Sequence, residues 1–261
     1  MVRNSLTAAL ACAVVALAAT SCSKHSGEPL SLWMARSEMA RSADPAGLQL
    51  VAMSRVADSF AADDLNSYVW QWADSLVCER SVAQAYMADT MSVFDPEANL
   101  YRRRSAVADT ALCAWSVDNG RRLLSLVDAA EAGQGGDSLK ERLNAVAQTI
   151  MRLRDAKTGM WRRLLDCPGG DANMVEATSS ALIIYAVLKG SRLGLLPSEM
   201  RAQAEEGFGQ FVEMFVRIGE KTGDGRNLLT VTQCHMIGDK APDNDPEAVG
   251  AFILASLEAG M

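Results

Sequence analysis

The chain has 261 residues, 49% hydrophobic and 22% charged, a globular balance that excludes an intrinsically disordered protein. With 32 acidic and 25 basic residues the net charge is −7, which argues against nucleic acid or an anionic membrane surface as a partner. Only two histidines are present, His25 and His235, too few for a histidine metal centre or for most nucleophile–histidine arrangements.

In chain order, residues 1–22 read MVRNSLTAALACAVVALAATSC. Arg3 gives a basic start, an apolar run from Leu6 to Ala19 follows, and small residues lead to Cys22, the layout of a secretory signal. The run falls short of the roughly 20 residues that a bilayer span requires. The Ala19-Thr20-Ser21-Cys22 ending resembles a bacterial lipobox, whose cysteine is lipid-modified and becomes the new N-terminus. Ordinary cleavage near Ala19 is the alternative. The expected plan is a signal at 1–21, a tether at 22–30 and one domain over 31–261. The protein is expected to be exported to the periplasmic or cell-envelope side, touching the membrane only through the lipid on Cys22.

From Leu30 onward the spacing of apolar residues predicts helices near 31–42, 45–61, 64–79, 80–94, 98–130 in two pieces, 137–154, 173–190, 198–218 and 245–259. Asp44-Pro45 and Asp245-Pro246 each place a capping residue before a proline at the first helical position. Ser198 reads as the cap of its helix, and Gly190 and Gly194 as stops. The short run YRRRS at 101–105 reads as a solvated helix face. Two stretches do not read as helix. Residues 158–173 have turn glycines at both ends of an extended middle, and 225–237 carry β-branched residues at alternate places. Paired helices joined by short loops, with extended arms before alternate helices, predict an all-α toroid rather than an up-and-down bundle. Cys78, Cys113, Cys167 and Cys234 lack the spacing of a zinc site; pairing is open to them in an exported protein, but their apolar neighbours favour small buried hydrophobes.

No phosphate loop or dinucleotide motif appears, and GQGGDSLK lacks the required spacing. What remains is carboxylate chemistry beside aromatic walls. A carboxyl can be tuned between proton donor and acceptor by burial, and indole faces suit the apolar faces of sugar rings. Asp166, Glu176, Asn173, Trp115 and Trp161 are the candidates. Each also has a plain structural reading: the tryptophans as core, Asp166 as a turn former before Pro168, Glu176 as a charge suited to a helix N-terminus.

The order of these residues resembles the unsaturated uronyl hydrolases, glycoside hydrolase families 88 and 105. The matching stretch holds Gly159, Trp161, Leu165, Asp166, Pro168, Asn173, Glu176, Ala177, Lys189 and Gly190. NDPEAVGAFILASLE at 244–258 is similar to the family's closing helix, and WMARSEMAR at 33–41 to its opening one. The resemblance implies an (α/α)6 barrel, here incomplete with nine or ten helices, and a cleft where the extended arms gather. It implies hydrolysis of terminal unsaturated uronic acid from lyase-generated oligosaccharides, by hydration of the C4–C5 double bond, without metal or organic cofactor. In the family an aspartic acid protonates the vinyl ether. In the register set by Tyr86-Met87-Ala88 that position is Ala83 here, and the family's arginine and second tryptophan fall on Val117 and Arg121. Three accounts stay open: another acid acts, with Asp89, Asp109 or Asp118 available; the chain binds uronic-acid sugars without cleaving them; or it keeps only a structural role.

Overall fold

A computed structural model describes residues 27–41, 44–45, 47–72, 78–89, 91–104, 112–167, 173–233 and 243–260, without the Arg104 side chain. The expected signal, Cys22, His25, Asp109, Pro168, Cys234 and His235 lie outside the described residues. Nine helices occur among them: α1 Leu30–Ala40, α2 Gly47–Phe60, α3 Asp63–Trp70, α4 Glu79–Ala88, α5 Ser116–Glu131, α6 Gly136–Arg152, α7 Ala177–Arg192, α8 Ser198–Phe215 and α9 Pro246–Ala259. Three short strands, β1 Val93–Asp95, β2 Leu100–Arg104 and β3 Leu112–Cys113, form an antiparallel sheet between α4 and α5. β4 Val216–Lys221 and β5 Asn227–Val231 form a hairpin between α8 and α9.

Four helices form a parallel inner wall. Along α7, Ala181, Leu182, Ile183, Ile184, Tyr185, Ala186, Val187 and Leu188 are all buried, so the helix is apolar on every side and has neighbours all round. It packs between α5 and α9, and α9 packs on against α2. Contacts at both ends show that these four run the same way. Thr178 meets Asp245 near the N-termini, while Arg192 meets Glu258 near the C-termini. Likewise Leu48 lies against Gly250, and Arg55 against Glu258. The outer layer is α1 on α2 and α9, α6 on α5, and α8 on α7 and α9. Phe208 and Phe211 of α8 stack on Phe252 of α9 with ring centroids 5.6 and 5.8 Å apart. Such pairs contribute about 0.5–1.5 kcal/mol each beyond the area they bury.

Among the described residues, α4 closes the ring. This helix runs against the inner four: Glu79 at its start meets Lys189 and Arg55, while Tyr86 near its end meets Arg121. It thereby spans the gap between α5 and α2 with a single helix. Its centre is tied to α5 through Ser125 Oγ, which donates to the Ala83 carbonyl at 2.8 Å.

The segment before α5 departs from the expected helix at 98–130. Asp95 Oδ1 accepts the backbone N–H groups of Glu97 and Ala98 at 3.0 and 3.2 Å, and Asn99 adopts a left-handed φ of 54°. Those two features make a turn, which folds the chain back into β2. Accordingly residues 101–104 of that run are strand rather than helix face, and Arg102 reaches Asp95 and Asp166 while Arg103 reaches Asp118. The expected helices at 64–79 and 80–94 shrink to α3 and α4. Asp245 caps α9 as expected, accepting Ala248 N–H at 2.9 Å, whereas α2 begins at Gly47, past Pro45, and Ser198 makes no cap bond. Gly190 is passed by α7, which runs on to Arg192. The arm at 225–237 contains β5 as expected. Of the cysteines, Cys113 is buried but Cys78 is exposed and Cys167 half-buried, so the small-hydrophobe reading holds for Cys113 alone among the described ones.

Gly250 sets the closeness of α9 to α2. A Cβ there would lie 2.6 Å from Gln49 N and from Leu48 C, both backbone atoms that cannot swing aside. Gly250→Ala is expected to lower stability by about 1–3 kcal/mol, the usual cost of overpacking. The urea midpoint reads this directly, and an unchanged midpoint would contradict so close an approach.

Candidate active site

Three extended segments come together where the inner helices begin. Ser116 N–H donates to Arg163 O and Leu165 N–H to Ala114 O, both at 2.9 Å, on either side of a Trp115–Leu164 pair. Arg163 N–H donates to Met174 O at 2.8 Å and Glu176 N–H to Trp161 O at 3.0 Å, on either side of an Arg162–Val175 pair. The outer two segments run directly into α5 and α7. Trp115 and Glu176 occupy the N-cap positions of those helices, yet neither side chain caps. Both side chains are left for other work.

Asparagines hold the strands beside these helix starts. Asn173 Oδ1 accepts Leu164 N–H at 2.8 Å and its Nδ2 donates to Leu164 O at 3.0 Å, so the side chain stands in for a strand. Asn119 does the same for Tyr101, at 2.9 and 2.8 Å.

The Glu176 carboxyl is the centre of the arrangement. Its side chain is 23% exposed, Ser116 Oγ lies 3.3 Å from one oxygen, and Arg163 Nε lies 3.9 Å from the other. Burial pushes its carboxyl above the usual carboxylate range; the Arg163 charge only partly offsets this. Beside it, Arg121 grips Glu247 with two bonds of 2.9 and 2.7 Å while lying over the Tyr86 ring. Burial, then the Glu247 charge, pushes the Tyr86 phenol up, so it stays a neutral donor. Thr178 Oγ1 lies 3.3 Å from Asp245 Oδ1 and accepts from Gln233 Nε2 at 2.7 Å. A groove of about 370 Å³ borders this cluster, lined by Gly47, Leu48, Val82, Tyr86, Pro246 and Glu247.

Asp118, in the first turn of α5, is a second tuned carboxyl. Its side chain is 2% exposed, and Arg103 Nε lies 2.8 Å away without the alignment of a hydrogen bond, leaving both oxygens without one. Burial pushes this carboxyl up as well. Arg103 also lies over the Trp115 ring, at 5.0 Å.

The sequence-derived candidates thus separate. Glu176 and Trp115 stand at the neighbouring starts of α7 and α5, Trp115 half-buried. Trp161 is fully buried, with its indole N–H donating to Ile150 O at 2.7 Å, so it is core and has no face to offer a sugar. Asn173 spends its amide on Leu164 rather than facing the hollow. Asp166 sits on the β-sheet side, paired with Arg102 at 2.5 Å. Asp89 is at the end of α4, accepting Met91 N–H at 2.9 Å. Sequence reading overlooked Ser116, Arg163, Tyr86 and Glu247. The one available signal was position: Ser116, Tyr86 and Glu247 lie within a few residues of a helix start or end, whereas Arg163 lies on the extended arm between α6 and α7.

The sequence model of Glycosyl Hydrolase Family 88 matches residues 79–261. Protein Atu3128 of Agrobacterium fabrum (strain C58 / ATCC 33970) is 33% identical over 88 residues, which are 33% of this chain and 37% of that protein. The 24.9 kDa protein in picA locus of Rhizobium radiobacter gives the same figures, so the chain spans 37% of the length of these curated relatives. Among solved structures, a family 105 glycoside hydrolase of C. acetobutylicum ATCC 824 superposes with a TM-score of 0.70 at 16% identity. The match covers 89% of this chain and 99% of that one, and shows a shared fold.

Proposed function

Because the chain belongs to glycosyl hydrolase family 88, we propose that it removes terminal unsaturated uronic acid from oligosaccharides left by polysaccharide lyases, with Glu176 as proton donor. The observation that carries this reading is the Glu176 carboxyl: shielded enough to be held up, exposed enough to be reached, and set beside an arginine and a hydroxyl. The N-termini of α5, α7 and α9 lie side by side, and their aligned peptide dipoles favour a bound anion such as a uronate carboxylate. Arg163 is the nearest cation to receive it.

In this reading the protonated Glu176 delivers its proton to C4 of the C4–C5 double bond, leaving positive charge shared between C5 and the ring oxygen. The resulting carboxylate then takes a proton from water as the water adds at C5. The product is a hemiketal, which opens and expels the neighbouring sugar. Ser116 Oγ, within 3.3 Å, steadies the carboxylate between the two steps.

One observation favours a second reading. Ala83, which falls where the resemblance places the family's acid, is buried and carries only a methyl group, so that position transfers no proton. A chain with the binding hollow and no effective donor would hold the sugar without turnover. Loss of absorbance near the short-wavelength edge of the ultraviolet on adding an unsaturated disaccharide reports hydration of the double bond. Steady loss supports hydrolysis; saturable heat of binding with constant absorbance supports the second reading; neither signal defeats both.

A further inference from the structure

The stretch Ala114–Ser116 that follows β3 and the arm at 161–167 are joined by backbone hydrogen bonds, and two cysteines stand where that join ends. The Trp115–Leu164 pair and the Leu165 N–H to Ala114 O bond set an antiparallel register that brings Asp166 opposite Cys113, with Cys167 next. From the other side, Cys113 is paired with Arg103 of β2, while the neighbouring Arg102 holds Asp166 at 2.5 Å. Cys167 thus follows directly on the residue opposite Cys113, close enough for the two thiols to interact.

We propose that Cys113 and Cys167 form a disulfide that ties β3, and so the Trp115–Ser116 start of α5, to the arm carrying Arg163. This goes beyond the hydrolase reading and stands without it. The oxidant is a small-molecule disulfide or an oxidised dithiol protein. Cys167, half-buried and so within reach, attacks one sulfur of the oxidant as its thiolate and releases the first thiol. The buried Cys113 then attacks the Cys167 sulfur of the mixed disulfide and releases the second thiol. The protein loses two protons and two electrons, and the oxidant is reduced to two thiols. Burial, with Asp166 adding to it, pushes the Cys167 thiol up, so the bridge forms faster as the pH rises.

The test uses the full chain, first reduced, then incubated with oxidised glutathione, alkylated and digested with trypsin without reductant. The expected product joins the peptide Ser105–Arg121 to the peptide Leu164–Lys189, two hydrogens lighter than their sum. It should persist in Cys78→Ser and vanish in Cys167→Ser. Alkylation of Cys113 and Cys167 in the oxidised chain would overturn the proposal, as would a bridge from either of them to any other cysteine.

Discussion

Glu176→Gln is expected to reduce turnover of an unsaturated uronyl disaccharide by about 10²–10⁴-fold, the usual contribution of a positioned proton donor. Glutamine keeps the size of the side chain and can still meet Ser116 and Arg163, so sugar affinity should change little. The loss belongs in kcat rather than in KM. The acid form does the work, and the wild-type rate should therefore fall as the pH rises through the raised Glu176 value. In the variant that alkaline fall should disappear from whatever rate remains. Stability provides the control. A carboxyl held above its unfolded-state value binds more protons folded than unfolded, so its ionisation costs stability at neutral pH and the cost is relieved on acidification. Glutamine removes that cost, and the variant should melt at or above the wild-type temperature. Undiminished kcat in Glu176→Gln would move the proton donor elsewhere, with Asp118 the next carboxyl to replace.

At the opposite end of the inner wall, about 20 Å along α7 from Glu176 at 1.5 Å per residue, Lys189 is expected to be the most costly charged side chain to remove. Its side chain is 5% exposed, and the ammonium faces Asp128 at 2.5 Å, Glu79 at 2.8 Å and Glu131 at 3.0 Å. Glu79 also accepts from the buried Tyr185 hydroxyl and from Arg55. One cation serving several carboxyls cannot hold all of them down. Burial pushes Glu79 up, but Lys189, Tyr185 and Arg55 together bring it below its ordinary value. Asp128 stays above its own, with burial the leading cause and the negative charges of Glu79 and Glu131 adding to it.

Lys189→Met keeps most of the apolar stem and strips the charge, leaving Asp128 buried without its partner. The expected loss is about 3–5 kcal/mol in urea unfolding, the range for a broken buried pair. The deficit should narrow as the pH falls, because protonating Asp128 removes the unpaired charge. A loss under about 1 kcal/mol would mean that water reaches these carboxyls. The same network ties α4 to α2, α5 and α7, so the variant also tests whether α4 closes the ring.

Some of this was legible in the chain. The apolar run through α7 and the Asp245-Pro246 start of α9 announce buried and capped helices, because the information lies in neighbouring residues. The extended arms were legible for the same reason. Of the two helical pieces expected over 98–130 the second is α5, but the first was misjudged, since Asp95 and Asn99 turn the chain by local side-chain geometry that an apolar count ignores. Within the site, Glu176 was visible as the one carboxylate opening the apolar helix. Trp161 was misread because an indole suits a core as well as a sugar, and only its neighbours tell which.

Sequence alone determined the helical class and the family, since these follow from local spacing and residue order. Tertiary structure decided which side chains meet. Ser116 and Glu176 are 60 residues apart, and Arg121 and Glu247 are 126 apart. Their meeting depends on four helices packing in parallel, and no local pattern encodes that. Burial, which lifts the Glu176 carboxyl and seals Trp161 away, is likewise set by the whole packed wall and not by the residues on either side.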